Sequence, residues 1–457
     1  MDLSVKKIAD AVRGYAKYKH YGVKISGVAT DSRADDLSGK LFIPIVGERF
    51  DGHEFIREAV YKGAVCVMSE KTLDTSHPVI TVDSTRGALC DLAAYYRSSF
   101  DIQVVAITGS VGKTTTKDMV AQVLSAKYKT LKSEGNFNNE IGLPLTIFKL
   151  DDSYQAAVLE FGMNSAGEIR RLSAIARPTV GIITNIGVAH IEQLKSREGI
   201  LKAKTEMFEF LSEQGHIVLN GDDDLLKTIR SDRNEIHYFG KNPDNYYNAF
   251  NIKSNGLIGV SCIIKYGGRQ FKLNIPVPGE HMVENALAAV AAGDILGLSE
   301  ANIKNGLESI KPLKMRMDIL GAPGGKTVIN DAYNANPVSM KAGIDVLADV
   351  GSRKVCVLGD MLELGHSSDA YHYEVGAYAA AKGIDLIICV GAASKHIHAG
   401  VTENIQEGIS CLYYSDQERL IADINDLTCE GDTILIKASR GMQLEKTVAQ
   451  LMDGGSV

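Results

Sequence analysis

The stretch Val104-Val105-Ala106-Ile107-Thr108-Gly109-Ser110-Val111-Gly112-Lys113-Thr114-Thr115-Thr116 decides how the rest of the chain is interpreted. An apolar, β-branched run ends in glycine, and a segment with apolar residues at helical spacing follows (119–124). A strand, a glycine turn and a helix N-terminus present backbone N–H groups and partial positive charge, which favours bound phosphate. We predict that Lys113 reaches the β/γ-phosphates of a nucleotide and that the Thr114 hydroxyl binds Mg²⁺.

This loop is shorter than the usual nucleotide-binding loop. Its first glycine, Gly109, comes only three residues before Gly112, and Ile107 stands where the usual pattern has glycine. A glycine turn with a chance Lys-Thr is the alternative, but the strand before it and the helix after it argue for a phosphate site. The predicted phosphate-binding residues are Gly109, Ser110, Val111, Gly112, Lys113, Thr114 and Thr115.

Length and composition narrow the class of protein. A chain of 457 residues has room for about three domains. The formal net charge of −7 gives no general basic field for nucleic acid. Seven cysteines without a Cys-x-x-Cys pair indicate free thiols in a reducing compartment. No run approaches the roughly 18 apolar residues of a membrane span. We therefore expect a cytoplasmic protein, and a monomer because nothing marks a self-association surface.

The order of strand-like and helix-like segments predicts an α/β protein of three domains. Residues 1–83 are expected to form a small α/β domain. Residues 84–311 are expected to form a central domain with a mostly parallel sheet, helices on both faces and an antiparallel hairpin within 258–276. Residues 312–457 alternate strand and helix, which predicts a Rossmann-like, doubly wound parallel sheet. That last domain contains no Gly-x-Gly-x-x-Gly, so it need not bind a dinucleotide.

Two central strands are followed by groups that can bind a metal ion or a ligand. The apolar run 156–159 ends in Glu160, where a Mg²⁺ ligand belongs beside a phosphate loop. The run 180–186 leads to His190, beyond the carboxyl end of a strand, where open α/β sheets bind ligands. A purely structural histidine is the alternative at that position.

Further polar loops are candidate substrate contacts. Ser32 and Arg33 in Asp-Ser-Arg can hold a diphosphate, because a guanidinium matches phosphate oxygens bidentately, although a solvated turn is the default. The amide-rich loop 135–144 follows the phosphate-loop helix, where substrate loops tend to lie, although amide-rich loops are commonly just turns. In the last third, polar loops follow three strands at 331–337, 359–365 and 437–441, and strand-end loops on one edge form one crevice.

Five motifs occur in the order expected of one family. They are Thr-Gly-Ser-Val-Gly-Lys-Thr-Thr-Thr (108–116), Gly-Asn-Phe-Asn-Asn-Glu-Ile-Gly-Leu-Pro (135–144), Asn-Ile-Gly-Val-Ala-His (185–190), Asn-Asp-Ala-Tyr-Asn-Ala-Asn-Pro (330–337) and Leu-Gly-Asp-Met-Leu-Glu-Leu-Gly (358–365). Together they resemble the Mur ligases, and among them the MurF type. The resemblance implies a ligase that uses ATP and Mg²⁺ to join D-alanyl-D-alanine to UDP-N-acetylmuramoyl-tripeptide (UDP-MurNAc-tripeptide) through an acyl phosphate.

The resemblance also implies roles for individual residues. The implied catalytic residues are Lys113, Glu160, His190 and Lys204. Thr114 and Glu160 would hold a first Mg²⁺, His190 would contribute to a second, and Lys204 matches a lysine that related ligases carbamylate. The implied nucleotide contacts in the later domains are Asn285 for adenine, and Arg316 and Asp331 for phosphate and ribose. The implied substrate contacts are Ser32, Arg33, Asn138, Asn139, Tyr333, Asn336, Lys437, Ser439 and Arg440.

Two alternatives stay open on sequence alone. A folylpolyglutamate synthase or another Mur ligase shares the short phosphate loop, and a requirement for a UDP-sugar would exclude the folate enzyme. A nucleotide switch or ATPase module would hydrolyse ATP slowly with no amine acceptor. The sequence does not decide whether the tripeptide ends in lysine or diaminopimelate.

Overall fold

The computed structural model describes residues 1–47, 50–404 and 406–453. Its strands form three main sheets and one two-stranded ribbon, and the sheets follow one another along the chain. The predicted α/β class is confirmed, and the expected boundaries near residues 83 and 311 fall between successive sheets. No helix of the described residues is long and apolar enough to cross a membrane.

The first domain is a small α/β unit. Its elements are β1 (Leu3–Ser4), α1 (Val5–Ala11), β2 (Tyr15–Ala16), β3 (Lys24–Ile25), β4 (Gly27–Ala29), β5 (Lys40–Phe42), α2 (Ile56–Tyr61), β6 (Cys66–Ser69) and β7 (Val79–Thr81). The sheet order is β2-β7-β6-β5-β4, parallel except for β2, and β1 pairs with β3 in the ribbon. The next helix, α3 (Thr85–Arg97), gives Leu89 to this core and Ala93 to the following one, so it ties the two domains together.

The central domain carries a nine-stranded sheet of order β16-β15-β14-β13-β12-β11-β8-β10-β9. Its strands are β8 (Gln103–Thr108), β9 (Thr130–Lys132), β10 (Ala156–Glu160), β11 (Val180–Ile183), β12 (His216–Asn220), β13 (Glu235–Gly240), β14 (Tyr247–Ser254), β15 (Val260–Tyr266) and β16 (Arg269–Ile275). Strands β8 to β14 are parallel, and β15–β16 form the predicted hairpin, which turns at Gly267 and Gly268 with positive φ.

Helices cover both faces of this sheet. The central strand β8 is apolar on both faces, and its side chains point alternately into two separate cores. Val105 and Ile107 face one core, whereas Val104 and Ala106 face the other. The helices of the domain, besides α3, are α4 (Lys113–Leu124), α5 (Gly142–Ile147), α6 (Glu168–Ala176), α7 (Ile191–Leu194), α8 (Arg197–Thr205), α9 (His281–Ile295) and α10 (Glu300–Glu308). The alanine-rich α9 packs closely on α4 and thereby fixes the phosphate-loop helix against the sheet.

The last domain has a six-stranded sheet of order β17-β18-β22-β19-β20-β21. Its elements are β17 (Asp318–Ala322), β18 (Lys326–Asn330), α11 (Pro337–Ala348), β19 (Lys354–Gly359), α12 (Ser368–Ala381), β20 (Leu386–Val390), α13 (Lys395–Glu403), β21 (Ser410–Tyr414), α14 (Gln417–Leu427), β22 (Thr433–Lys437) and α15 (Glu445–Asp453). Strands β18 to β22 are parallel, as predicted, with helices on both faces. Sequence analysis missed β17, which is antiparallel, and β21. Both are edge strands whose side chains are all at least partly exposed.

Candidate active site

The phosphate loop lies between β8 and α4, and its glycines are required by close approaches. Gly112 has a φ of 83°, and a Cβ there would lie 2.6 Å from the Asn285 Oδ1. A Cβ at Gly109 would lie 1.9 Å from the Thr184 Oγ1. Any larger side chain at these two positions would displace the loop from the groups that hold it.

The loop backbone is held by the residues that follow β11. The Val111 N–H donates to the Asn185 Oδ1 at 2.9 Å, and the Thr184 hydroxyl donates to the Val111 carbonyl at 2.6 Å. The Gly187 N–H donates to the Ser110 Oγ at 2.9 Å. These bonds preorganise the loop, so its remaining N–H groups need little rearrangement to bind an anion.

Lys113 is the first residue of α4, and its Nζ lies in the cavity that the loop borders. The ammonium donates to the Gly109 carbonyl at 2.8 Å. Burial lowers the pKa of Lys113, while the charge of Glu160 opposes that shift. A partly desolvated cation binds an incoming phosphate oxygen more strongly than a fully hydrated one does, because water competes less for it.

Glu160 ends β10 and is 3% exposed. Its Oε1 accepts from the Asn138 Nδ2 at 3.0 Å, whereas its Oε2 is buried and accepts no hydrogen bond from any described residue. An unpartnered buried carboxylate oxygen is costly unless a cation or a donor completes it. Because the Thr114 hydroxyl borders the same cavity, these residues fit an oxygen-liganded cation such as Mg²⁺.

Lys204 lies at the C-terminal end of α8 and is 2% exposed. Burial, together with the charge of Lys113, holds the pKa of Lys204 well below its usual value. Its amine is therefore neutral far more readily than that of a surface lysine, and a neutral amine is the form that reacts with CO₂.

His190 connects the central domain to the last domain. It has a φ of 63°, and its Nδ1 lies 2.9 Å from the Glu363 Oε2. The hydrogen bond with His190 lowers the pKa of Glu363. Beside it, Gly365 is close enough that a Cβ would lie 3.2 Å from the Glu192 Cβ. In this conformation His190 thus bonds a carboxylate of the last domain.

The last domain brings three charged groups to the cavity. Asp331, just beyond β18, forms a buried ion pair with Lys437, the last residue of β22. The Lys437 Nζ also donates to the Asn334 carbonyl at 3.1 Å. The Arg316 guanidinium stacks on the Tyr333 ring at 4.1 Å from its centroid. Arg316 thereby presents a planar cation to the same space.

These groups border one cavity of about 350 Å³ between the two large domains. The predicted residues that line it are Ser110, Val111, Gly112, Lys113, Thr114, Thr115, Asn138, Asn139, Glu160, His190, Lys204, Asn285, Arg316, Asp331, Tyr333, Asn336 and Lys437. The carboxyl ends of β8 and β10 meet those of β18 and β22 there, which is where open α/β sheets bind ligands. The space can hold phosphate groups between Lys113, Arg316 and a bound cation.

Some residues that were predicted to contact a ligand make hydrogen bonds within the protein in this conformation. The Asn336 side chain caps α11, and the Asn139 Oδ1 accepts from the Gly142 N–H at 2.9 Å. Asn285 accepts from the Thr116 hydroxyl at 3.2 Å, so its amide lies against the phosphate loop. An adenine contact by Asn285 remains a prediction.

Four predicted substrate residues do not line the cavity. Ser32 donates to Glu58 at 3.0 Å, Arg33 pairs with Asp31, and Arg440 pairs with Glu445 at 2.8 Å. Ser439 is 3% exposed, and its Oγ accepts from the Leu362 N–H at 2.9 Å. Ser439 therefore joins two strand-end loops, and its proposed contact with substrate remains a prediction.

Sequence reasoning missed His281, which begins α9 and lines the cavity. Burial lowers the pKa of His281 to about 4, against the opposing charge of Asp331. The only sequence signal was its position in Pro-Gly-Glu-His at a helix start, which does not distinguish a site residue from a capping turn. Asn185 and Glu363 were inside recognised motifs, but only the fold shows what they contact.

His281 should make stability depend on pH. Between pH 6.5 and about 4 the unfolded chain holds a proton on His281 that the folded protein lacks, so stability falls as pH falls. This histidine contributes a slope of up to about 1.4 kcal/mol per pH unit. Urea unfolding across that pH range should show that the free energy of unfolding depends less on pH in His281→Asn than in the unsubstituted chain. Equal slopes would contradict the burial of a neutral imidazole.

Comparison with known proteins gives independent evidence of the family to which this chain is related. A profile described as the Mur ligase middle domain matches residues 107–293, and one described as the Mur ligase, glutamate ligase domain matches 315–440. The chain is 39% identical to the UDP-N-acetylmuramoyl-tripeptide–D-alanyl-D-alanine ligase of Bacillus subtilis (strain 168), over 98% of each chain. A crystal structure of MurF from Acinetobacter baumannii aligns with a TM-score of 0.92 at 33% identity, over 99% of each chain. The MurF ligase of Thermotoga maritima, solved with ADP, aligns with a TM-score of 0.84 at 27% identity, over 94% of this chain and 97% of that one.

Proposed function

Because this chain belongs to the Mur ligase family, we propose that it joins D-alanyl-D-alanine to UDP-MurNAc-tripeptide at the expense of ATP. The product is the UDP-MurNAc-pentapeptide precursor of peptidoglycan. Similarity over nearly the full length to proteins named UDP-N-acetylmuramoyl-tripeptide–D-alanyl-D-alanine ligase, and to a crystal structure of MurF, supports this reaction. The observation that carries the mechanism is the single cavity in which a phosphate loop, the unpartnered Glu160 oxygen and Lys204 meet.

The first step is transfer of the γ-phosphoryl group of ATP to the terminal carboxylate of the tripeptide. A carboxylate oxygen bonds to the γ-phosphorus, the bond to the β-phosphate bridge breaks, and ADP leaves. The phosphate loop orients the nucleotide, and Lys113 neutralises charge on the transferred group. Arg316 contributes a second cation from the last domain.

Glu160 and Thr114 are the residues that would hold a first Mg²⁺, and His190 would contribute to a second. When bound, Mg²⁺ neutralises the phosphate oxygens and orients them for in-line transfer. His190 bonds Glu363 in the present conformation, so its participation requires that this contact yield. The buried, unpartnered Oε2 of Glu160 supports the first position most directly.

The second step forms the amide. The amine of D-alanyl-D-alanine attacks the acyl carbon, a proton is lost from nitrogen, and inorganic phosphate leaves from the tetrahedral intermediate. We assign the dipeptide to the side of the cavity formed by Tyr333, Asn336 and Lys437. Asp331 is paired with Lys437 and stays assigned to the nucleotide together with Arg316. The two facing domains keep water from the acyl phosphate. We place the UDP-sugar on the first domain, with Ser32 and Arg33 as contacts.

Lys204 is proposed to be carbamylated. Its neutral Nζ attacks CO₂, forms an N-carboxylate and releases one proton. The N-carboxylate adds a negative charge to the cavity that contains the proposed Mg²⁺ ligands. With ¹³C-bicarbonate, the protein should show one carbamate carbon signal by NMR that Lys204→Met lacks. Lys202→Ala, on the exposed face of the same helix, should keep it. A signal that survives Lys204→Met would contradict this assignment.

The test of function is phosphate release from ATP, with UDP-MurNAc-tripeptide and D-alanyl-D-alanine added singly and together. Sustained release should require both, and the product should have the mass of the pentapeptide. Release with no acceptor would favour the ATPase alternative instead. Tripeptides that end in lysine or diaminopimelate should be compared in the same assay, because the described residues do not decide between them. We place the reaction in the cytoplasm, where ATP is available, and expect a monomer.

A further inference from the structure

A cluster of three potential metal ligands lies outside the active site, on β12 and β13. Parallel pairing sets His216 opposite Glu235, and Val218 opposite His237, so the two histidines and the glutamate project from one face of the sheet. His216 and Glu235 are the first residues of their strands. The cluster therefore lies at the amino edge of the parallel sheet, whereas the phosphate loop and Glu160 lie at its carboxyl edge.

The ligand atoms of this cluster converge. The His216 Nδ1 and His237 Nε2 are 3.0 Å apart, and the Glu235 Oε2 lies 3.8 Å from the first and 3.7 Å from the second. A triangle with these sides has a circumscribed radius of about 2.0 Å, which matches Zn–N and Zn–O bond lengths. One ion can therefore contact all three atoms without any change in the backbone. No other group of three among the described His, Cys, Asp and Glu residues converges in this way.

The donor set and its exposure indicate which ion fits. Two imidazoles and one carboxylate suit Zn²⁺ and its neighbours, whereas Mg²⁺ and Ca²⁺ prefer oxygen ligands. The His237 side chain is 14% exposed, that of His216 33% and that of Glu235 68%. The site is thus supported from the protein side and open to water on the other. Water can occupy the open coordination position, as it does in three-ligand zinc sites.

We propose that His216, Glu235 and His237 form a binding site for a divalent transition-metal ion, with Zn²⁺ as the preferred occupant. The ion clamps the amino ends of β12 and β13, two neighbouring strands of the central sheet. This site is separate from the Mg²⁺ position at Glu160, since none of its three residues lines the catalytic cavity. The bound ion should therefore raise the thermal stability of the protein without taking part in ligation.

The test is equilibrium dialysis of the full chain against Zn²⁺ with excess Mg²⁺ present, so that oxygen sites stay occupied by Mg²⁺. The unsubstituted protein should bind one equivalent more than His216→Ala or His237→Ala. Loss of an outer-shell partner already weakens metal affinity by about 10- to 100-fold, so loss of a ligand should cost no less. Co²⁺ in place of Zn²⁺ should give a visible absorption band that both variants lack. Glu235→Gln should weaken Co²⁺ binding while keeping the shape of the side chain.

His396→Ala is the matched control, because His396 also lies beside a carboxylate, that of Asp369 at 3.3 Å, without a third ligand. It should bind as much Zn²⁺ as the unsubstituted protein. Thermal unfolding in EDTA should show that the variants are folded, and their ligase rates with Mg²⁺ should be unchanged. Equal Zn²⁺ stoichiometry in all proteins would overturn the proposal and leave a simple hydrogen bond between His216 and His237. Loss of binding in His396→Ala alone would also overturn it.

Discussion

Replacing Lys113 with alanine is expected to lower kcat by about 10²- to 10³-fold, the cost of removing one preorganised group that stabilises transition-state charge. The ammonium borders the cavity and is partly withdrawn from water, and a water molecule in its place would not restore the charge that faces the γ-phosphoryl oxygens. The effect should fall on kcat as well as on the KM for ATP, because negative charge shifts among these oxygens during transfer. Single-turnover formation of ADP measures this step.

The control for Lys113→Ala is Lys127→Ala, whose Nζ donates to the carbonyl groups of Leu296 and Gly297 outside the cavity. That variant should keep the rate of the unsubstituted enzyme. Circular dichroism should show both variants folded, since the bond that Lys113 makes to Gly109 is internal to the loop. A Lys113→Ala enzyme with near-normal turnover would remove the phosphate loop from the mechanism.

The substitution Glu160→Gln should lower the ligation rate by about as much as Lys113→Ala lowers kcat, but for a different reason. It keeps the shape of the side chain but removes the charge that holds Mg²⁺, and charge stabilisation by such an ion amounts to several kcal/mol, or on the order of 10²–10³ in rate. The Mg²⁺ concentration for half-maximal rate should rise. The free energy of unfolding should fall by less than about 3 kcal/mol, because removal of a buried, unpartnered carboxylate oxygen offsets part of the lost attraction to Lys113.

A Mg²⁺ titration of the initial rate, paired with urea unfolding, separates these two effects. Glu134→Gln is the matched control, because Glu134 pairs with Lys149 on the surface and does not line the cavity. An unchanged Mg²⁺ dependence in Glu160→Gln would place the metal elsewhere. A large loss of stability would show that the carboxylate serves the fold rather than the cation.

Much of the candidate site was predictable because the local sequence pattern determines the strands, turns and helices on which its residues lie. The β-branched run before Gly109 and the helical spacing after Lys113 can form only a strand, a turn and a helix, and Glu160 directly ends a buried strand. The carboxyl ends of parallel strands meet at one edge, so Asp331 and Lys437 could be assigned to one crevice although 106 positions separate them.

The missed features depend on contacts between distant segments. The pKa of the His281 imidazole is lowered only because the N-terminus of α9 lies at the interdomain cavity, and no periodicity encodes that. The convergence of His216 and His237 needs the exact register of β12 and β13, which the sequence leaves open. The hydrogen bond from the Leu362 N–H to the Ser439 hydroxyl also joins distant segments, and the substrate contact of Ser439 stays a prediction. A polar residue in a site motif can support the loop instead of touching the ligand.

The most direct test of the central claim follows oxygen from the tripeptide into phosphate. UDP-MurNAc-tripeptide with ¹⁸O in its terminal carboxylate is incubated with ATP, Mg²⁺, D-alanyl-D-alanine and the enzyme. If a carboxylate oxygen attacks the γ-phosphorus and phosphate later leaves the tetrahedral intermediate, each phosphate released carries one labelled oxygen. Mass spectrometry should therefore find ¹⁸O-phosphate in equal amount to the pentapeptide. Unlabelled phosphate would contradict the account, because water or another group would then have received the phosphoryl group.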